Sequence, residues 1–256
     1  MTIFTKAIYD TKIMAKRNLL KSVRNPDTVL LNIAIPIMNM LTFVYVLGGA
    51  ISTGNSNYTN YIVPSIILLC IGQCGSTTAV GISMDIEKGI ISRFRSMPIA
   101  KSSVLTGHVL EAMIRTIFTV ILILLVALLI GFRPSADITG WLIVTFLLLL
   151  FTFTITWMAV AFGLMVGSAE GAGAFMVFMM IFIYLSSGFV PTDTLPKVLR
   201  VFAENQPMTP IIESIRALLL ETELNNNLVL TIVWCIGLLV VFYILALKLY
   251  KKKFNK

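Results

Sequence analysis

The residue types that most often carry chemistry are scarce in this chain and poorly placed for it. There is one histidine, His108, and there are three cysteines, Cys70, Cys74 and Cys235. The cysteines are odd in number and fall inside apolar runs, so neither a disulfide framework nor a metal site is expected. His108 has no companion for metal or nucleophile chemistry and reads as an interfacial polar residue. No Gly-Lys dipeptide occurs anywhere, which removes a Walker-type phosphate loop. The apolar runs do hold uncharged polar groups. Asn32 and Asn39 are seven residues apart and share a helix face, with Pro36 between them. Gln73, Ser76, Thr77 and Thr78 follow in a second run, and Met176, Met179, Met180, Tyr184, Ser186 and Ser187 in a later one. In hydrocarbon such groups turn toward other helices or a cavity. Two uses stay open. They glue helices together, for which Gly72, Gly75, Ser76 and Ala79 suit close packing. Or Asn32, Asn39, Gln73, Thr77, Met176, Met180 and Tyr184 line a substrate path, where deformable methionines suit a promiscuous apolar pocket.

A second constellation is charged. Across Asp85–Pro98, the residues Ile86, Ile90, Phe94 and Met97 repeat at four, four and three, one stripe of a short helix. Asp85 and Glu87 stand in its first turn and Arg93 and Arg95 in its last, the favourable sense for the helix dipole. Pro98 stops it. Such a helix is either a docking surface for a soluble partner or a tether to the membrane interface.

The elements that must position these groups follow from composition. The chain has 256 residues, 57% hydrophobic and only 12% charged, with a mean hydropathy of +0.92. A soluble domain carries about 25% charged residues, so soluble enzymes, disordered chains and nucleic-acid-binding domains are excluded. A bilayer span takes about 20 apolar residues. Six runs qualify: 28–51, 61–82, 114–131, 140–167, 172–190 and 228–247. The fourth and fifth are parted only by Ser168-Ala169-Glu170-Gly171, a tight turn. The first 27 residues lack an apolar core, so no cleavable signal is expected. Of the 20 Lys and Arg residues, 16 fall in the N-terminal segment, in the loop between the second and third runs together with Arg115 at the start of the third, and in the C-terminal tail. Six spans place all of these on one side, which the positive-inside rule makes cytoplasmic. The net charge of +8 is thus a topology signal, and no nucleic-acid partner is expected; a basic tail can also touch anionic lipid.

Residues 1–27 mix basic side chains with Phe4, Ile8, Ala15, Leu19 and Val23. They suit an amphipathic helix on the cytoplasmic face, or simply a positively charged anchor. Asn25-Pro26-Asp27 breaks it before the first span. The outer segment 191–227 holds two apolar helical patterns, Leu195–Glu204 and Pro210–Glu221, between prolines. Thr209 can cap the second, with Pro210 at its first position. Patterns this short suit a re-entrant hairpin. The span interiors are read as free of Asp, Glu, Lys and Arg. That argues against proton or ion coupling and for an energy source on another subunit.

This layout resembles the ABC type-2 exporter permeases, most closely the daunorubicin-resistance branch. Glu87-Lys88-Gly89 through Ser96-Met97-Pro98 is similar to that family's pattern of Glu, a basic residue, Gly and a small residue, then an apolar stretch ending Ser/Thr-x-Pro. Ser187-Gly188-Phe189-Val190-Pro191, Leu195-Pro196 and Asn205-Gln206-Pro207-Met208-Thr209 resemble its outer run, with Gln206 inserted. Asn25-Pro26-Asp27 resembles its lead-in to the first span.

The resemblance implies an all-α polytopic fold of six transmembrane helices, an N-terminal amphipathic interface helix and an extracellular re-entrant helical hairpin, in one domain spanning 1–256. It implies a bacterial cytoplasmic membrane location with both termini inside. It implies pairing with a second permease copy or paralogue and with a separate ABC ATPase subunit that carries ATP and Mg, this chain binding no cofactor and catalysing nothing itself. Asp85, Glu87, Lys88, Gly89, Arg93 and Phe94 would couple to that ATPase. The cargo would be an amphipathic or hydrophobic drug, antibiotic or peptide, moving between spans one, two and five and out past the hairpin. A lipid-linked glycan or lipid is the alternative cargo, and a non-transporting immunity or assembly protein the alternative class.

Overall fold

The structure is a computed structural model and describes residues 3–48, 57–95, 101–224 and 226–254. Among these the regular elements are helices. They are α1 (Ile3–Val23), α2 (Pro26–Leu41), α3 (Tyr58–Glu87), α4 (Ile90–Arg95), α5 (Lys101–Ile130), α6 (Ile138–Val166), α7 (Ala169–Tyr184), α8 (Lys197–Asn205), α9 (Met208–Leu220) and α10 (Asn227–Phe254). A π-helical turn, Thr42–Leu47, continues α2, and a 3₁₀ turn, Thr192–Thr194, precedes α8. The expected all-α, polytopic architecture holds.

Five helices are long and apolar enough to cross a bilayer: Pro26–Val46, Tyr58–Glu87, Ser103–Ile130, Ile138–Val166 and Asn227–Lys253. The sixth, α7, has 16 residues, about 24 Å at 1.5 Å per residue. It nevertheless runs from one end of the bundle to the other. Ala169 N–H meets Glu87 at the end of α3, and Gly188 meets Ser65 near its start. Helix α3 is the hub, with 78% of its most apolar window buried, packed on α5, α6, α7 and α2.

Small residues bring the hub's neighbours close. A Cβ on Gly163 of α6 would lie 2.5 Å from the Ala79 carbonyl oxygen. Instead the Gly163 carbonyl accepts a 2.9 Å bond from Ser83 Oγ. In a bilayer, where lipid offers no hydrophobic drive between helices, such close packing carries the association. A compact core then runs through α3, α6, α7 and α9, with Phe151, Phe175, Ile62 and Ile215 fully buried.

Several boundaries differ from the apolar runs. The 83–113 segment is mostly helix: α3 extends to Glu87 and α5 starts at Lys101. The stripe through Ile86, Ile90 and Phe94 is therefore divided between two helices, because Gly89 adopts φ +65° and turns the chain. Residues Met97 and Pro98 lie outside the described residues, as do 49–51 at the end of the first run. Helix α9 begins at Met208 and has no side-chain cap. Thr209 instead donates to the Ala203 carbonyl and accepts from Ser187 N–H, tying α8 and α9 to the end of α7. Helix α1 lies against α5: Met14 and Asn18 are buried, while Ile8, Tyr9, Ile13, Leu20 and Val23 point away. The helix is thus held through Met14 and Asn18 and leaves Ile8, Tyr9, Ile13, Leu20 and Val23 facing outward.

Candidate functional site

The groups singled out in the sequence fall at the basic end of the bundle and along the α2 face of α3 and α7. At the basic end, Asp85 stands in the last turn of α3 with a fully buried side chain. Arg17 and Lys21, one turn apart on α1, reach it at 3.2 and 2.9 Å. His108 Nε2 of α5 lies 3.3 Å from the second carboxylate oxygen, a close contact without hydrogen-bond alignment. A buried carboxylate is tolerated only when paired and hydrogen-bonded. Asp85 is thus the pin that fastens α1 to α3, beneath the surface. Above it, Glu87 and Lys88 are exposed at the tip. Glu87 Oε1 accepts the Ala169 N–H at 3.0 Å, a carboxylate at a helix N-terminus where the dipole favours it. Gly89 makes the turn, its carbonyl accepting from Arg93 N–H at 3.2 Å. Arg93 is exposed on α4, and Phe94 belongs to the same helix. Of the six residues, five surround an exposed turn, and Asp85 supports it from below.

The polar residues on the spans form two groups. In the first, Thr77 Oγ1 donates to Asn32 Oδ1 at 2.9 Å, and Gln73 sits one turn away from Thr77 on α3. Asn32 Nδ2 is buried without a partner. In the second, the Tyr184 hydroxyl approaches Asn39 Oδ1 at 3.5 Å, and the Tyr184 ring packs on Phe43 and Phe189. Asn32 and Asn39 do share a face, but they meet different helices. Met176 and Met180 are half-buried; the methionine packed into α3 is Met179, against Gly72.

The expectation of charge-free spans is corrected. Helix α5 extends two turns and more before residue 114 and carries Glu111 and Arg115 into the bundle, both nearly fully buried. Arg115 Nε bonds Glu111 Oε1 at 2.8 Å, Nη1 bonds the Cys74 carbonyl at 3.2 Å, and Nη2 bonds Thr78 Oγ1 at 2.9 Å. A Glu and an Arg four apart just before an apolar run are the signal that was there to find. Together α1, α3 and α5 form an open-sided cavity of about 300 Å³ lined by Lys21, Gln73, Thr77, His108, Glu111 and Arg115 among others.

At the opposite end, α7 stops at Tyr184, and its freed carbonyls need donors where water is scarce. Tyr61 hydroxyl bonds Ser187 O at 2.6 Å, Ser65 Oγ bonds Gly188 O at 2.8 Å, and Tyr58 hydroxyl bonds Phe189 O at 3.2 Å. Gln206, the inserted residue of the outer run, gives its amide to Phe182 O and Leu185 O at 2.8 and 2.9 Å. Arg216 of α9 is buried. It donates to Tyr61 O and Ser187 O, sits 3.7 Å over the Tyr61 ring and pairs with Glu213. On exposed α8, the Glu204 and Asp193 carboxylates hold the Arg200 guanidinium above its ordinary range.

Five helices of spanning length and the shorter α7 thus form a polytopic membrane bundle with a charged turn at one end and the α8–α9 hairpin at the other. The sequence profile of the ABC-2 type transporter family matches residues 9–220, and the chain belongs to that family. It is 25% identical over 222 residues, 86% of this chain and 78% of the relative, to a daunorubicin resistance ABC transporter permease protein of Streptomyces coeruleorubidus. It is 23% identical over 235 residues, 91% of this chain and 85% of the relative, to a Mycobacterium tuberculosis protein named "Probable doxorubicin resistance ABC transporter permease protein".

Proposed function

We propose that the chain is the membrane subunit of an ATP-driven exporter that moves an amphipathic drug, antibiotic or peptide out of a bacterial cell. The match of an ABC-2 family profile to most of the chain carries this reading. The drug-resistance names of its relatives point to the cargo class. ATP and Mg belong to a separate ABC ATPase subunit docked at the basic end. The Lys and Arg residues of the N-terminal segment, the 83–113 region and the C-terminal tail, 15 of the 20 in the sequence, support its placement, with both termini, on the cytoplasmic side. The exposed α3–α4 turn, Glu87 to Phe94, receives ATPase closure, and Asp85 passes it to α1. Helix α2 leaves Leu30, Leu31, Met38, Tyr45 and Val46 exposed, an apolar face for lipid and for a second permease copy. Cargo passes along the α2 side of α3 and α7, by Asn32, Gln73 and Thr77 and then Asn39 and Tyr184, with Met176 and Met180 lending a deformable wall.

The test is ATP-dependent uptake into inverted proteoliposomes of the chain with its ABC ATPase, across drugs, peptides and lipid-linked sugars. Stimulation of ATPase activity and uptake by amphipathic drugs is expected. Uptake of lipid-linked sugars alone would move the cargo class, and no uptake of any kind would overturn export. Asn39→Leu and Gln73→Leu should each alter the range of drugs taken up.

A further inference from the structure

The open-sided cavity formed by α1, α3 and α5 has a charge balance that selects its occupant. Lys21 is bonded to Asp85 at 2.9 Å. Glu111 is bonded to Arg115, whose remaining donors go to Cys74 O and Thr78 Oγ1. His108 stands against Asp85, which Arg17 also holds from α1. Lys21, Glu111 and Arg115 therefore each already have a bonded partner of opposite charge, while His108 Nε2 touches Asp85 without a hydrogen bond. An anion entering here would meet the Glu111 carboxylate and compete with fully buried Asp85 for Lys21. A cation would meet Arg115 and Lys21. Uncompensated burial of either charge is costly.

The neutral polar groups are different. The Gln73 amide lines the cavity with no bonded side-chain partner among the described residues. Thr77 on the same wall holds Asn32 by its oxygen, leaving Nδ2 buried and unpartnered. Ser22, Asn25 and Thr28 line the cavity at the α1–α2 junction. A volume of about 300 Å³ is at the small end of ligand pockets, enough for one polar head group.

We infer that this cavity binds the uncharged, hydroxyl- or amide-bearing head group of an amphipathic molecule, and so receives the polar end of the cargo before it passes between α2 and α3. This deepens the exporter reading and, in its cargo role, rests on it. The experiment uses the full chain in phosphatidylcholine nanodiscs. Three photoreactive octyl probes share one diazirine-bearing tail and differ in head: glucoside, phosphate and trimethylammonium. Crosslinks are mapped by mass spectrometry. The glucoside probe is expected to label residues 18–28 and 73–84, with displacement by free octyl glucoside. Gln73→Leu is expected to weaken that labelling about tenfold, the loss of neutral hydrogen bonding. Ser22→Phe, which fills the cavity from the other wall, is expected to do the same.

Equal labelling by all three heads, preference for phosphate or ammonium, or labelling unchanged in both variants would overturn the inference. Drug uptake in the ATPase-coupled system separates the two readings. Gln73→Leu that loses labelling yet keeps the wild-type uptake range would remove the cavity's cargo role and leave the exporter reading standing. Glucoside labelling of a chain that exports nothing would remove the exporter reading and leave the binding site.

Discussion

The two ends of the bundle bury charge in opposite ways. At the basic end, Asp85 is shared by side chains from α1 and α5, and a polar cavity remains beside it. At the hairpin end, Arg216 and the tyrosines of α3 spend their donors on main-chain carbonyls where α7 breaks. Side-chain ion pairs can be re-partnered without disturbing any backbone hydrogen bond. Carbonyls at a helix break cannot be released without exposing unsatisfied backbone. The ion pairs at the basic end are thus the easier of the two to rearrange, and the main-chain bonds at the hairpin end the harder.

The comparison can be broken first at Asp85. Asp85→Ala takes the shared carboxylate from Arg17 and Lys21, whose side chains are part-exposed and can turn to water, so the loss is that of hydrogen bonds to a charged group, about 1.5–3 kcal/mol. Unfolding in detergent should show that loss, and trypsin should cut faster after Arg17 and Lys21. At the other end, Arg216→Met should cost about 1.5–3 kcal/mol, the range for hydrogen bonds made by a charged group. Hydrogen exchange should rise at 185–190 and stay level at 17–24; a rise at both ends would mean that the two are one cooperative unit. Gly163→Ala drives a methyl into the Ala79 carbonyl, and overpacking of this kind costs about 1–3 kcal/mol, spread over both ends because α3 and α6 span them. Glu87→Ala removes one helix-end acceptor, a loss of about 1 kcal/mol or less, yet it should abolish coupled export. Arg200→Ala, on exposed α8, should leave stability unchanged within error, as isolated surface ion pairs usually do.

The sequence reading succeeded where one segment carries its own signal. The six apolar runs, the 168–171 turn and the break around Ser187–Pro191 all rest on local hydrophobicity and on Gly and Pro. It failed where the helices outgrow the bilayer. Apolar counting measures about 30 Å of hydrocarbon, so it stopped α3 at residue 82 and started α5 at 114, which gave Asp85 to a separate short helix, left Glu111 in a loop and counted Arg115 with the loop charges. It also could not pair residues far apart in the chain. Lys21 and Asp85 are 64 positions apart, and Tyr61 and Arg216 are 155. Nothing in either residue's neighbourhood indicates its partner. Asn32 and Asn39 were correctly placed on one face by spacing alone, but only the packing of α2 showed that they contact different helices.

The account turns on the α3–α4 turn as the place where ATP hydrolysis is converted into export. The direct measurement is drug uptake per ATP hydrolysed in proteoliposomes of the chain with its ABC ATPase, compared between wild type, Glu87→Ala and Gly89→Val, the last placing a β-branched residue at φ +65°. The account predicts an intact, membrane-inserted chain in both variants, with uptake per ATP reduced at least about tenfold, or the ATPase no longer co-purifying. Wild-type uptake per ATP and undiminished co-purification in both variants would contradict it.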